Sequence, residues 1–298
     1  MEEGRMKVQF AGEVGAILAG YDPKTPRDTA EALQILWLRF EPKSMAGIKA
    51  EQRAQQKTVG IRVAVLKSIG NEVGKAARRQ VDDYIPLARL LWDEYGREGR
   101  VVAVMPLGSM ELADPEKMLP LLLELSRSCL TWEDADQFAM NALEPIVRKA
   151  PETWLPVVEP WLSDENKWVR RIGVIVVGRL PMKHPAYTTR CVALAGQLIF
   201  TEDVDVKKGT SFAIRLCARG ETAPVRDFLA RHVPPADPAA TWVLCDAIRS
   251  MARKLLPDFV TLLPLYEAWA ADPTLTARDR RSVESAVRAL RKVQGSAT

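Results

Sequence analysis

Histidine is nearly missing from this chain: His184 and His232 are the only two among 298 residues. Metal hydrolases and Ser–His–Asp hydrolases draw ligands or a general base from imidazole, so neither class is favoured and no metal is expected. Cysteine is sparse as well. Cys129, Cys191, Cys217 and Cys245 are scattered with no CxxC pair, which reads as four reduced thiols of a cytosolic protein, not as a disulfide framework or a zinc site. No apolar run approaches the roughly 18–20 residues of a membrane span, so no membrane partner is expected. The opening Met1-Glu2-Glu3-Gly4-Arg5 lacks the basic-then-apolar form of a signal peptide. Strand-like alternation is almost absent. Even the charge excess is small: 42 Lys and Arg against 38 Asp and Glu leave +4, too little by itself to demand a polyanionic partner.

What the chain has in quantity is apolar residues, 47% of the total, recurring three and four positions apart. That spacing is helical, and short turns with Pro, Gly or Asp separate the helices. From about residue 114 the pattern repeats. First helices are expected at 116–128, 153–162, 186–199, 222–232 and 258–270. Each is followed by a second helix, at 132–149, 167–180, 206–219, 240–254 and 277–292. The unit of roughly 33–38 residues is in the range of helical-hairpin repeats. The first third is less regular, with helices expected near 7–19, 27–39, 45–57, 60–74 and 82–95, where Pro23, Pro26 and Pro42 act as breakers. The expected fold is therefore all-α: an α-solenoid of HEAT-like helical hairpin repeats with a concave basic surface. It reads as a single domain over 1–298, with 1–113 as an irregular N-terminal cap and 114–298 as about five repeats.

Charge becomes informative once the helices are sorted. The five second helices sum to a net +12, the five first helices to −1. Second helices of such repeats usually line the concave side, and a basic inner curve suits duplex DNA. The densest pieces are Lys167, Arg170, Arg171 and Arg179, then Lys207, Lys208, Arg215 and Arg219, with no acid in either stretch. Cations near a helix C-terminus satisfy its dipole, which accounts for Arg179 and Arg219. Lys167, Arg170, Arg171, Lys207 and Lys208 sit in first turns, where the dipole opposes them. A phosphate or a buried carboxylate must compensate there.

Three segments in order carry a family resemblance. They are Thr131-Trp132-Glu133-Asp134-Ala135-Asp136, Ser163-Asp164-Glu165-Asn166-Lys167-Trp168-Val169-Arg170-Arg171, and Asp205-Val206-Lys207-Lys208-Gly209-Thr210-Ser211-Phe212-Ala213-Ile214-Arg215. Gly60-Ile61-Arg62 and Leu91-Trp92-Asp93 add weaker markers upstream. Over about 45–235 the chain resembles the DNA alkylation repair family, bacterial DNA glycosylases that excise N3- and N7-alkylated purines. The resemblance implies Asp136 as the catalytic carboxylate and Trp132 and Phe212 as aromatic walls. It implies Arg171 as a phosphate clamp, in a DNA-binding set with Asn166, Lys167, Arg170, Lys207, Lys208 and Arg215. Phe212 departs from the pattern, because catalytic members usually carry Trp there.

The residue types suit that chemistry. Alkylation makes the purine cationic and weakens the glycosidic bond, and positive charge moves to the sugar as the bond breaks. A carboxylate stabilises this charge and orients water, aromatic faces attract it, and an arginine holds a flanking phosphate. Spacing of i, i+4 puts Trp132 and Asp136 on one helix face. Structural roles compete at several positions. Trp132 can be a core aromatic at a helix start, Asp134 or Asp136 a first-turn acid, and Asn166 an N-cap. Trp168, in phase with Ile172 and Ile175, reads as core, as do Trp154 and Trp161. The expected activity is a cytoplasmic, nucleoid-associated glycosylase acting on alkylated duplex DNA as a monomer, with no metal and no organic cofactor. A non-catalytic DNA-structure binder and a protein-interaction solenoid are the alternatives.

Overall fold

A computed structural model describes residues 2–40, 54 and 57–295, with side chains from Phe10 onward. The described residues form helices and turns with no strand. They fall into two compact units, one up to Ile146 and one from Val147.

In the first unit the helices are α1 (Glu2–Ala19), α2 (Pro26–Leu38), α3 (Val63–Ala77), α4 (Val81–Glu94), α5 (Gly96–Ala113), α6 (Pro115–Arg127) and α7 (Trp132–Phe138). A π-helical turn, Ala139–Leu143, follows α7 and runs into α8 (Glu144–Lys149), in which the two units meet along the chain. The second unit continues with α9 (Pro151–Val158), α10 (Lys167–Arg179), α11 (Thr188–Gly196), α12 (Val204–Cys217), α13 (Thr222–His232), α14 (Thr241–Arg249), α15 (Leu263–Ala270) and α16 (Ala277–Gln294). Proline at N1 pre-sets the first turns of α2, α6 and α9. Side-chain caps start α6 (Asp114), α7 (Thr131), α10 (Asn166), α12 (Asp203) and α16 (Thr276).

Most of the expected helices are present within a few residues, but three points differ. The helix expected at 45–57 lies, apart from positions 54 and 57, outside the described residues. Helix α5 was not expected at all. Its sequence offers no apolar stripe, because nearly every side is covered: Val101, Val102, Val104 and Leu107 are fully enclosed or nearly so, and so are Arg97, Glu98 and Glu111. Gly96, Gly99, Pro106 and Gly108 read as breakers, yet Gly96 supplies the φ of 63° that turns the chain out of α4. The expected helix 132–149 is interrupted by the π turn, and the segments 153–162 and 258–270 are partly 3-10, at Glu159–Ser163 and Leu256–Leu262.

Within each unit, equivalent contacts recur one repeat apart. In the first unit Trp92 pairs with Ser128, Arg97 with Ile61 and Glu133, all 36 positions away, and Arg89 with Glu124, 35 away. In the second, Ser211 pairs with Asp246 at 35 positions and Thr222 with Asp258 at 36. Contacts of this spacing also occur in the first third of the chain, where the sequence looked irregular. Helices pack on one another at intervals along the chain: α3 on α5 and α5 on the π turn in the first unit, then α10 on α12, α12 on α14 and α14 on α16 in the second. Glycine allows two of these close crossings. A Cβ on Gly108 would lie 1.9 Å from the Asn141 carbonyl, and one on Gly178 would lie 2.5 Å from the Ala213 Cα.

Candidate functional site

The first unit places Trp132 and Asp136 one turn apart on α7. Thr131 caps the helix by accepting from the Asp134 amide at 3.3 Å. Trp132 does not enter the core; it is 46% exposed, whereas Asp136 is only 8% exposed. The two acids between them point elsewhere and are committed. Glu133 receives a bidentate pair from Arg97, at 2.7 and 2.8 Å. Asp134 is fully buried and accepts from Arg100 Nη1 at 2.7 Å and from the Leu130 amide at 3.0 Å.

Both arginines come from α5, and both are tied down from behind. Arg97 also donates to the Ile61 carbonyl at 3.0 Å and to Glu98 at 3.1 Å. Glu98 in turn accepts from the amides of Val59, Gly60 and Ile61. Arg100 donates to the carbonyls of Trp92 and Ser128, and its guanidinium lies 4.8 Å from the Trp92 ring centre. Trp92 meets Phe138 edge-on and bonds Ser128 through its indole N–H. The Gly60-Ile61-Arg62 and Leu91-Trp92-Asp93 segments thus anchor the arginines that fix α7. Arg97, Glu98 and Arg100 escaped sequence reasoning because they lie on the unrecognised helix. The signal that would have found them is a Gly-Arg-Glu-Gly-Arg run in an otherwise apolar stretch.

In the second unit Asn166 is the N-cap of α10, its Oδ1 accepting from the Trp168 amide at 2.8 Å and the Val169 amide at 3.4 Å. Trp168 is buried, as expected. Carboxylates answer the charge puzzle of the first turn at Lys167, whose Nζ is 2.8 Å from Asp205 and 3.9 Å from Asp203, and 4.3 Å above the Trp168 ring. Arg170 folds back onto the carbonyls of Asp164 and Glu165. Arg171 is only 4% exposed and donates to the Asp205 carbonyl, joining α10 to the start of α12. On α12, Lys207 lies 3.7 Å from Glu202, while Lys208 is exposed and makes no ion pair among the described residues.

Phe212 is half-buried, with the Arg215 guanidinium 5.3 Å from its ring centre. Burial pulls the Arg215 pKa down, partly offset by Asp246. Asp246 is a buried hub that sequence reasoning missed. It accepts from Ser211 Oγ at 2.6 Å and Ser250 Oγ at 3.2 Å, and it pairs with Arg249. Among the described residues no group of three His, Cys, Asp or Glu side chains has metal-binding geometry, and no helix is long and apolar enough to cross a membrane.

A family model described as DNA alkylation repair enzyme matches residues 36–251, more than half of the chain. The chain belongs to this family. The match spans α7, α10 and α12, so the family's DNA repair role applies to the part of the chain that carries Trp132, Asp136, Arg171 and Phe212. No curated protein matches the chain. Helices α15 and α16 lie beyond the segment the family accounts for.

Proposed function

We propose that this member of the DNA alkylation repair family is a DNA glycosylase that removes cationic N3- or N7-alkylated purines from duplex DNA, with Asp136 as the catalytic carboxylate. One observation carries the reading: on α7 the nearly buried Asp136, 8% exposed, lies one helical turn from Trp132, which is 46% exposed, so a carboxylate and an open aromatic ring share one helix face. The Trp132 ring attracts the charged nucleotide. As the glycosidic bond breaks, its electron pair leaves with the purine, which becomes neutral, and the sugar takes on cationic character. Asp136 stabilises that charge from a poorly hydrated position, where a carboxylate acts more strongly than in water, and orients the water that adds to C1′. The water's proton passes to the carboxylate or to solvent. The leaving group starts out cationic, so it departs without a general acid. No organic cofactor or metal enters this scheme.

The repeat spacing within each unit supports a HEAT-like scaffold. In the second unit Lys208, Lys207, Arg170 and Arg215 are proposed to hold backbone phosphate. Lys167 and Arg171, held by Asp205, and Asn166, the α10 N-cap, support that surface. A second reading, DNA binding without excision, is favoured by Phe212, which offers a smaller and weaker π face than tryptophan. The test is release of free base from DNA carrying 7-methylguanine. The glycosylase reading expects release by the natural protein, a fall of about 100-fold or more in Asp136→Asn, and DNA binding retained in that variant. No release by the natural protein, with salt-sensitive binding intact, moves the conclusion to the second reading.

A further inference from the structure

A groove of about 620 Å³ opens in the second unit where α12, α14 and α16 begin. Its lining includes Val204, Lys207, Lys208, Trp242, Arg278 and Asp279. Two features distinguish it from an ordinary solvated cleft. Lys208 and Arg278 are both exposed, both line it, and neither makes an ion pair among the described residues. Its acids are already engaged: Asp279 accepts from Thr276 Oγ at 2.6 Å, and Glu202 lies beside Lys207. The apolar share comes from Val204, 61% exposed, and the half-buried Trp242. Unpaired cations around an exposed apolar wall suit a ligand that is anionic on one side and carries a flat or hydrophobic body on the other.

We propose that this groove extends the DNA-backbone surface to α16, with Lys208 and Arg278 together holding a phosphodiester and Trp242 lying against its deoxyribose. The proposal rests on the DNA-binding reading above and extends it to α16, outside the segment the family accounts for. Each lysine or arginine that neutralises a phosphate releases condensed counterions, so removing one contact lowers the salt dependence of binding by a definite step.

The experiment measures affinity for an undamaged, fluorescently labelled duplex at several salt concentrations. It compares the natural protein with Arg278→Gln, Lys208→Gln, Trp242→Ala and Arg288→Gln. The last is a control on α16 outside the groove, where Arg288 faces Glu284. Arg278→Gln and Lys208→Gln are each expected to weaken binding by about 3- to 10-fold and to reduce the slope of log K against log salt by about 0.9. Trp242→Ala should weaken binding without changing the slope, and Arg288→Gln should do neither. Unchanged affinity and slope in the two groove variants, with the natural protein binding well, overturns the groove and leaves the DNA reading standing. An equal loss in Arg288→Gln also overturns it, because the effect is then general charge. Absence of any DNA binding by the natural protein overturns both. Arg278-dependent binding of poly-glutamate without binding of DNA replaces the phosphodiester with an acidic polypeptide.

Discussion

At the residue scale, exposure decides what Trp132 is for. A large aromatic side chain left nearly half in solvent at a helix start contributes little to the core, so its replacement should barely affect folding. Trp132→Ala is expected to change unfolding free energy by no more than about 0.5 kcal/mol. Base release should nevertheless fall by about 2- to 30-fold, the worth of a cation–π contact of roughly 0.5–2 kcal/mol. Denaturant titration and a base-release assay on one preparation check both halves, and a large stability loss would return Trp132 to a packing role. The contrast with Trp168 is instructive. Both tryptophans stand in the first turn of a helix, Trp132 among acids and Trp168 among cations, yet one is exposed and the other buried beneath Lys167.

At the element scale, α7 is held by α5. The Arg100–Asp134 pair is almost wholly buried, and Arg100 has three further contacts around it. Removing one partner leaves an uncompensated charge inside the protein, which costs about 3–5 kcal/mol. Replacing both by apolar groups can be close to neutral. Arg100→Met should therefore lower stability by about 3–5 kcal/mol in urea unfolding, and Arg100→Met combined with Asp134→Leu should recover most of it. Failure of the double variant to recover would mean that the arginine acts through its carbonyl contacts instead. The seven residues of α7 are too few to be a stable helix alone. Position and orientation of Trp132 and Asp136 come from this support and from the Gly108 crossing, which admits the π turn immediately beyond.

At the scale of the whole molecule, pH dependence is set in part by Glu111. This side chain on α5 is fully buried, neither carboxyl oxygen has a hydrogen-bond partner among the described residues, and burial pushes its pKa from 4.5 to about 10. The folded protein thus holds a proton that the unfolded chain releases above about pH 4.5. Between that point and about pH 10 the folded state binds more protons, so its stability falls as pH rises, by up to about 1.4 kcal/mol per pH unit. Glu111→Met removes the titrating group at similar volume. It should raise stability at pH 8 more than at pH 5 and flatten the slope between them, as read by chemical denaturation at the two pH values. An unchanged slope would show that Glu111 is not the group responsible.

Much was legible in the amino-acid order alone. Helical spacing, turn residues and repeat length follow from local rules, and α6, α10, α12, α13 and α16 begin and end close to where those rules put them. The Trp132–Asp136 face follows from 3.6 residues per turn, and the Asn166 cap from the chemistry of helix starts. Family membership was legible too, because its markers are short local strings. Only the tertiary structure decided which charges are spent. Lys167 and Arg171 look like free cations in the sequence and are bound by Asp205; Glu133 and Asp134 look like ordinary first-turn acids and are claimed by Arg97 and Arg100. Helix α5 stayed hidden for the same reason that it matters. A helix covered on nearly every side has no amphipathic period, so its helicity and its buried charges are fixed by neighbours 34–38 positions away, which local sequence does not record.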